Sequence, residues 1–216
     1  MLMKNIKIFL QHNFKKKIIY SMIYQEKIFT KEECEKILSY TNIYTDLVFR
    51  DREPNIDFEN RRIDYITHYA NGKNVGKFFN VWDILHTTES HWMFEKLIKW
   101  FSNISKVGCN PTKWPHGCSL HKYSKGDSFE RHVDLSKNFL DRRWNLGIQL
   151  NDTYTGGEYI CYDTDGNEIL LSKETGTAIA YNSTTPHEIK EILSGERWSI
   201  VMPISKNVII EKRNLF

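Results

Sequence analysis

The sequence predicts a mainly β fold, a double-stranded β-helix of the jelly-roll, cupin-like kind with N-terminal helices packed on one sheet. Three observations carry this reading. Trp144, Leu146, Ile148 and Leu150 alternate with Asn145, Gly147, Gln149 and Asn151, the period of two that marks a half-buried strand. Short strand-like runs separated by turn signals fill the second half, the pattern of a two-sheet antiparallel fold. Helix-period runs fall in the first half.

The elements follow in chain order. Residues 1–23 mix apolar side chains with lysines, His12 and Asn13. They lack the unbroken apolar core of a signal peptide and read as a strand or short helix of the fold. Thr30 and Glu33 form a capping box that opens a helix through about Tyr40, with Cys34, Ile37 and Leu38 on one side. The stretch 46–69 is charged, is broken by Pro54, and reads as a hairpin or loop; Asn71-Gly72 signals a turn. Trp92, Phe94, Leu97, Ile98 and Phe101 recur at helical spacing and predict a second helix over about 88–104, packed on the barrel. In the strand over 144–151, the polar set is expected to face an inner chamber and the apolar set to meet the helices. Asp165-Gly166 predicts a hairpin between 159–163 and 168–172. A strand over 176–181 and a loop over 182–186 lead to His187, and 196–201 alternates as a further strand. Cys161 is expected inside the sheet, and Trp198 outward under a helix.

These elements make one domain over 1–216, with about 1–105 as helical and mixed support and about 106–210 as the jelly-roll core. A hydrophobic content of 40% is enough to fill one core. The net charge of +3 is too mild to signal a nucleic-acid or membrane partner. The four cysteines contain no Cys-x-x-Cys pair, which excludes a zinc ribbon. Free thiols in a cytoplasmic, reducing compartment are expected, with a Cys109–Cys118 cross-link left open. Nothing in the pattern sets an oligomeric state.

The chemistry centres on His132-Val133-Asp134. Of the eight histidines, His132 alone has an aspartate two places on. Residues i and i+2 of a strand point to one side, so the two side chains can grip one metal ion. His187 is the best candidate for the third ligand. Two histidines and a carboxylate on one face leave the opposite positions open, the ligand set of non-haem Fe(II) oxygenases. Arg197 and Ser199 share a face of the 196–201 strand. An arginine fork suits a carboxylate, with the serine hydroxyl beside it. Taken singly, each residue has a structural reading: His132 as a hydrogen-bonded core histidine, Asp134 as a turn cap. It is their order along the chain that points to a site.

The order also resembles a known family. Tyr123-Ser124-Lys125-Gly126 leading into His132-Val133-Asp134, Leu150-Asn151 followed by Gly156-Gly157-Glu158-Tyr159, and Pro186-His187-Glu188-Ile189 followed by Gly195-Glu196-Arg197-Trp198-Ser199 resemble the Fe(II)/2-oxoglutarate-dependent dioxygenases, in their prolyl 4-hydroxylase-like branch. The likeness runs from about Leu120 to Val201, with an echo at Phe29-Thr30-Lys31-Glu32-Glu33-Cys34. It implies Fe(II) held by His132, Asp134 and His187, with 2-oxoglutarate, O2 and ascorbate as co-substrates and accessory reductant. It implies that Arg197 holds the far carboxylate of 2-oxoglutarate, with Tyr123, Ser199 and Gln149 beside it. Tyr159, where relatives usually carry an aliphatic residue, and Asn145 would line the pocket. Arg61 and Arg62, with Arg50 and Arg52, are candidates for a substrate-closing loop. The implied reaction hydroxylates an unactivated C–H bond, foremost a prolyl residue in a peptide or protein, and releases succinate and CO2. A small molecule is the other substrate class.

Two features narrow the range of reactions. Asp134 argues against halogenating relatives, which lose the carboxylate. Nucleic-acid dealkylating relatives carry a second Arg six places after the first, and Pro203 stands there. A demethylase and a binding module without turnover remain the alternatives. Met202-Pro203 also replaces an aromatic residue usual in relatives, which bears on the pocket floor. His116 and His121 flank the site in sequence and read as second-layer or surface residues.

Overall fold

The computed structural model describes residues 23–40, 68–70, 73–75, 80–84, 89–105, 108–109, 118–135, 141–205 and 209–210. In chain order the first elements are β1 (Ile23–Lys27), α1 (Lys31–Ser39), β2 (His68–Ala70), β3 (Lys73–Val75), β4 (Asn80–Ile84), α2 (His91–Ser105) and β5 (Gly108–Cys109). There follow β6 (Cys118–Tyr123), β7 (Phe129–His132), β8 (Arg142–Gln149), β9 (Thr155–Gly156), β10 (Tyr159–Tyr162) and β11 (Glu168–Leu170). The last are β12 (Thr177–Asn182), β13 (His187–Ile189), β14 (Ile192–Ser194), β15 (Arg197–Ser205) and β16 (Ile209–Ile210).

Two antiparallel sheets face each other. The larger runs β1-β12-β8-β15-β6-β4 and the smaller β11-β10-β13-β7. The larger sheet is two-faced because its strands alternate. Trp144, Leu146 and Ile148 of β8, Ala178 and Ala180 of β12, and Ile200, Met202 and Ile204 of β15 form one core with the helices. The opposite face carries Asn145, Gln149, Tyr181, Arg197 and Ser199, all buried, and meets the smaller sheet. That is the polar chamber the alternation predicts.

The helices form for local reasons. Thr30 caps α1 through Glu33 N–H, and the Glu33 carboxylate returns to Thr30 N–H. Glu33 also receives Lys96 of α2 at 2.6 Å, which ties the two helices together. Met93, Phe94, Leu97, Ile98, Trp100 and Phe101 are the buried stripe of α2. Phe101 meets Trp144 edge-on at 5.1 Å. This helix starts at His91, a little later than the residue spacing suggests. The 176–181 strand likewise begins one residue later, at Thr177, because Gly176 has φ +87° and belongs to the turn.

Gly176 is a close approach as well as a turn. Its carbonyl accepts Ile28 N–H and Phe29 N–H, and a Cβ placed there would lie 2.0 Å from Phe29 O. Gly176→Ala is therefore expected to destabilise the fold by about 2 kcal/mol or more, from left-handed strain and backbone collision together. The urea midpoint should fall at unchanged slope.

Cys34, Cys118 and Cys161 are buried, and the Cys109 side chain lies outside the described residues. Cys161 lies in the core between the sheets, and Trp198 packs against the helix-side core. Among the described residues no helix is long and apolar enough to cross a membrane. Arg50, Arg52, Arg61, Arg62 and His116 lie outside the described residues, as do residues 1–22 and most of the 46–69 stretch.

Candidate metal centre and anion pocket

His132, Asp134 and His187 converge. Pairing of β7 with β13 sets His132 directly opposite His187, so the ladder closes the long sequence separation between them. Their rings lie 4.2 Å apart. Asp134 sits two residues past His132 in a bend beyond the end of β7, where Leu135 N–H donates to Ser183 O. The pair is thus a strand-end grip and not the mid-strand grip that alternation suggests. Asp134 Oδ1 lies 3.6 Å from His132 Nε2, and Asp134 Oδ2 lies 3.4 Å from His187 Nε2. Donors about 2.1 Å from one ion stand about 3 Å apart at right angles and about 4 Å apart when opposed, so these separations suit a shared metal.

The imidazoles are set for that role. His132 Nδ1 faces Glu130 O at 2.7 Å, and His187 Nδ1 faces Thr185 O at 2.9 Å. A carbonyl only accepts, so each Nδ1 carries the proton and each Nε2 is left with its lone pair in the neutral ring. Phe129 stacks on His132 at 3.5 Å and fixes the ring plane. Burial works to raise the Asp134 carboxyl, but the positive charges that the His187 and His132 rings carry when protonated outweigh it. The group is held well below the usual carboxylate range.

Asn145 Nδ2 donates to Asp134 Oδ2 in a short hydrogen bond. Asn145 therefore orients the Asp134 carboxylate, a role the sequence reading did not give it. Loss of such a support costs roughly 10- to 100-fold in metal affinity. Asn145→Ala should show that loss in a Mn(II) titration while the fold, read by circular dichroism, is retained.

Arg197 is 1% exposed. Its Nη1 donates to Ser199 Oγ at 2.9 Å and its Nη2 to Gln149 Oε1 at 3.0 Å. Gln149 Nε2 in turn donates to Asn151 O and to the Tyr154 hydroxyl. Ser199 and Gln149 thus aim the guanidinium. Arg197 Nε has no hydrogen-bond partner, and among the described residues no carboxylate pairs with the charge. A buried charge without a counter-ion costs several kcal/mol, so the pocket is built for an anion.

The guanidinium lies 5.4 Å from both the Tyr123 and Tyr159 rings, and the Tyr159 ring also lies 5.9 Å from that of His187. One ring therefore borders both ends of the site. Asn145 touches Asp134 and Gln149 touches Arg197 from the same strand, four residues apart, or about 13 Å of strand. Burial pushes the Tyr123 phenol upward, with Arg197 opposing, and raises that of Tyr159 as well. Both are neutral hydrogen-bonding groups at physiological pH.

Met202 turns into the helix-side core, whereas Pro203 pairs with Asn145 on the chamber-facing side of β15. His121 is partly buried with its ring 6.3 Å from that of Tyr123. Sequence reasoning missed Tyr181, whose hydroxyl lies 3.2 Å from His187 Nε2, and Tyr154, which braces Gln149. The β12–β8 register sets Tyr181 opposite Asn145. The shared parity of Ile179 and Tyr181 was readable, but that pairing was not.

Residues 118–204 match the family model described as the 2OG-Fe(II) oxygenase superfamily. The chain is 36% identical over 102 residues to a PKHD-type hydroxylase of Prochlorococcus marinus (strain AS9601), covering 45% of this chain and 46% of the relative. It is 32% identical over 85 residues to a PKHD-type hydroxylase of Parvibaculum lavamentivorans, covering 38% of each. The matches thus span less than half the length of these relatives. The fold is similar to that of a Pseudomonas putida prolyl-4-hydroxylase, with a TM-score of 0.56 at 15% identity over 86% of this chain and 92% of that one. It is also similar to a Trichoplax adhaerens prolyl hydroxylase solved with a hypoxia inducible factor peptide fragment, with a TM-score of 0.59 at 14% identity over 85% of this chain and 82% of that one. These likenesses bear out the double-stranded β-helix.

Proposed function

We propose that the protein is an Fe(II)- and 2-oxoglutarate-dependent dioxygenase hydroxylating an unactivated C–H bond, with a prolyl residue of a peptide or protein as substrate; the match of residues 118–204 to the 2OG-Fe(II) oxygenase superfamily model supports the reading. The observation that carries the reading is Arg197, a buried guanidinium that has no counter-ion among the described residues and shares the Tyr159 wall with a two-histidine, one-carboxylate cluster. Bound iron would supply oxygen activation coupled to the decarboxylation of 2-oxoglutarate to succinate and CO2.

This chain's side chains do the rest. His132 and His187 offer Nε2, Asp134 offers a carboxylate oxygen, and Asn145 holds that carboxylate in place. Arg197, aimed by Ser199 and Gln149, takes the far carboxylate of the co-substrate. Tyr123 and Tyr159 flank the guanidinium and exclude water, which strengthens its hold. The prolyl substrate is taken over from the names of the solved proteins of the same fold, and the hydroxylase reaction from those of the sequence relatives. Cytoplasmic placement is supported by the free thiols at Cys34 and Cys161.

The test is succinate formation from 2-oxoglutarate with Fe(II), O2 and ascorbate, over a panel of proline-containing peptides. Turnover stimulated by a peptide, and a peptide product heavier by one oxygen, is the expected result. Succinate formation that no peptide stimulates, but a free small molecule does, would replace the substrate class. No succinate from iron-loaded protein would overturn the reaction.

A further inference from the structure

Two phenols stand against the metal-ligand cluster, and the chemistry so far leaves the bond between them unused. Tyr181 is 3% exposed, and its ring lies 4.8 Å from that of His187. Its hydroxyl is 3.2 Å from His187 Nε2 and 2.5 Å from the Tyr159 hydroxyl. Among the described residues these are the hydrogen bonds the two phenols make. Their direction follows from His187. Its Nδ1–H is committed to Thr185 O, so Nε2 of the neutral ring is an acceptor. Tyr181 donates to it, and Tyr159 donates to the Tyr181 oxygen.

That Nε2 lone pair is also the one a metal would take, and one lone pair cannot serve both. A metal at Nε2 therefore displaces the Tyr181 proton, which is buried and must find a new acceptor. The acceptor in prospect is the co-substrate. Tyr159 borders both His187 and Arg197, so a diacid held by Arg197 and chelating at the cluster passes along this pair.

We propose that Tyr159 and Tyr181 form a hydrogen-bond switch that caps His187 Nε2 in the metal-free protein and, once metal occupies that nitrogen, turns the Tyr181 hydroxyl onto the co-substrate. The first half concerns metal alone; the second rests on the 2-oxoglutarate reading.

The experiment is calorimetry in two stages on wild type, Tyr181→Phe and Tyr159→Phe. Co(II) is titrated into metal-free protein, then 2-oxoglutarate into the Co(II)-loaded protein. Without its competitor, Tyr181→Phe takes Co(II) roughly two- to tenfold more tightly, the worth of one net hydrogen bond, and binds 2-oxoglutarate more weakly by a similar factor. Tyr159→Phe keeps the Tyr181 donation and holds Co(II) within about twofold of wild type. Loosened packing would weaken both ligands, so opposite shifts identify the switch. Tyr181→Phe that binds Co(II) no more tightly than wild type overturns the cap, and an unchanged 2-oxoglutarate affinity overturns the handover. A wild type that binds Co(II) but not 2-oxoglutarate sinks the proposed function and the handover, while the Co(II) stage still decides the cap. A wild type that binds no Co(II) sinks both.

Discussion

Arg197→Met is expected to make the metal-free protein more stable while removing its hold on 2-oxoglutarate. The two effects have one cause. The guanidinium is buried with hydrogen bonds to Ser199 and Gln149 but with no counter-ion among the described residues. Desolvation of such a charge costs several kcal/mol, whereas leaving Gln149 Oε1 without its donor costs about 1–3 kcal/mol. The larger quantity wins, and the melting temperature of the variant rises. Binding moves the other way. Removing a buried, hydrogen-bonded charge partner costs about 2–5 kcal/mol, so 2-oxoglutarate affinity falls roughly 30- to 4,000-fold. Arg197→Lys keeps the charge without the fork and should fall between the two. A variant that melts lower than wild type and still binds 2-oxoglutarate normally would mean that Arg197 is a structural residue.

Asp134→Asn is expected to cost at least 100-fold in metal affinity, because losing a ligand exceeds the roughly 10- to 100-fold cost of losing a ligand's support. Succinate formation falls with it. The same substitution should alter the acid response of the metal-free protein. Asp134 is held well below the usual carboxylate range, with burial opposing and the His187 and His132 charges prevailing. A lowered group stabilises the fold above its unfolded value of about 3.9, and that contribution is lost as pH falls through its folded value. Wild type should therefore lose stability between pH 4 and more acidic values, and Asp134→Asn should lose less over the same window. Parallel acid curves for the two proteins would place the stabilising charge elsewhere.

Much of this was legible in the sequence because strand and helix periods are local. The alternation at 144–151 separates helix-facing from chamber-facing residues, and the Thr30–Glu33 box marks the start of α1. The triad and Arg197 were legible as types in order, and the β7–β13 and β15–β8 ladders bring them to one chamber. What escaped depends on register. Tyr181 reaches His187 only because β12 sets it opposite Asn145, and Tyr154 reaches Gln149 from a loop with no period to betray it. Ser199 and Gln149 are expected beside the co-substrate, and the structure adds that they grip Arg197. Spacing places a residue near a charge but does not say which group it bonds.

The central claim is that one chamber holds a metal at His132, Asp134 and His187 and, at its far end, a diacid on Arg197. Linkage between the two ligands tests it most directly. Calorimetry should compare 2-oxoglutarate with glutarate, which has both carboxylates but no keto oxygen, in metal-free and Mn(II)-loaded protein. Mn(II) should tighten 2-oxoglutarate by at least tenfold and glutarate far less, with the Mn(II) gain lost in His187→Ala. Equal affinity for 2-oxoglutarate with and without the metal would contradict the account.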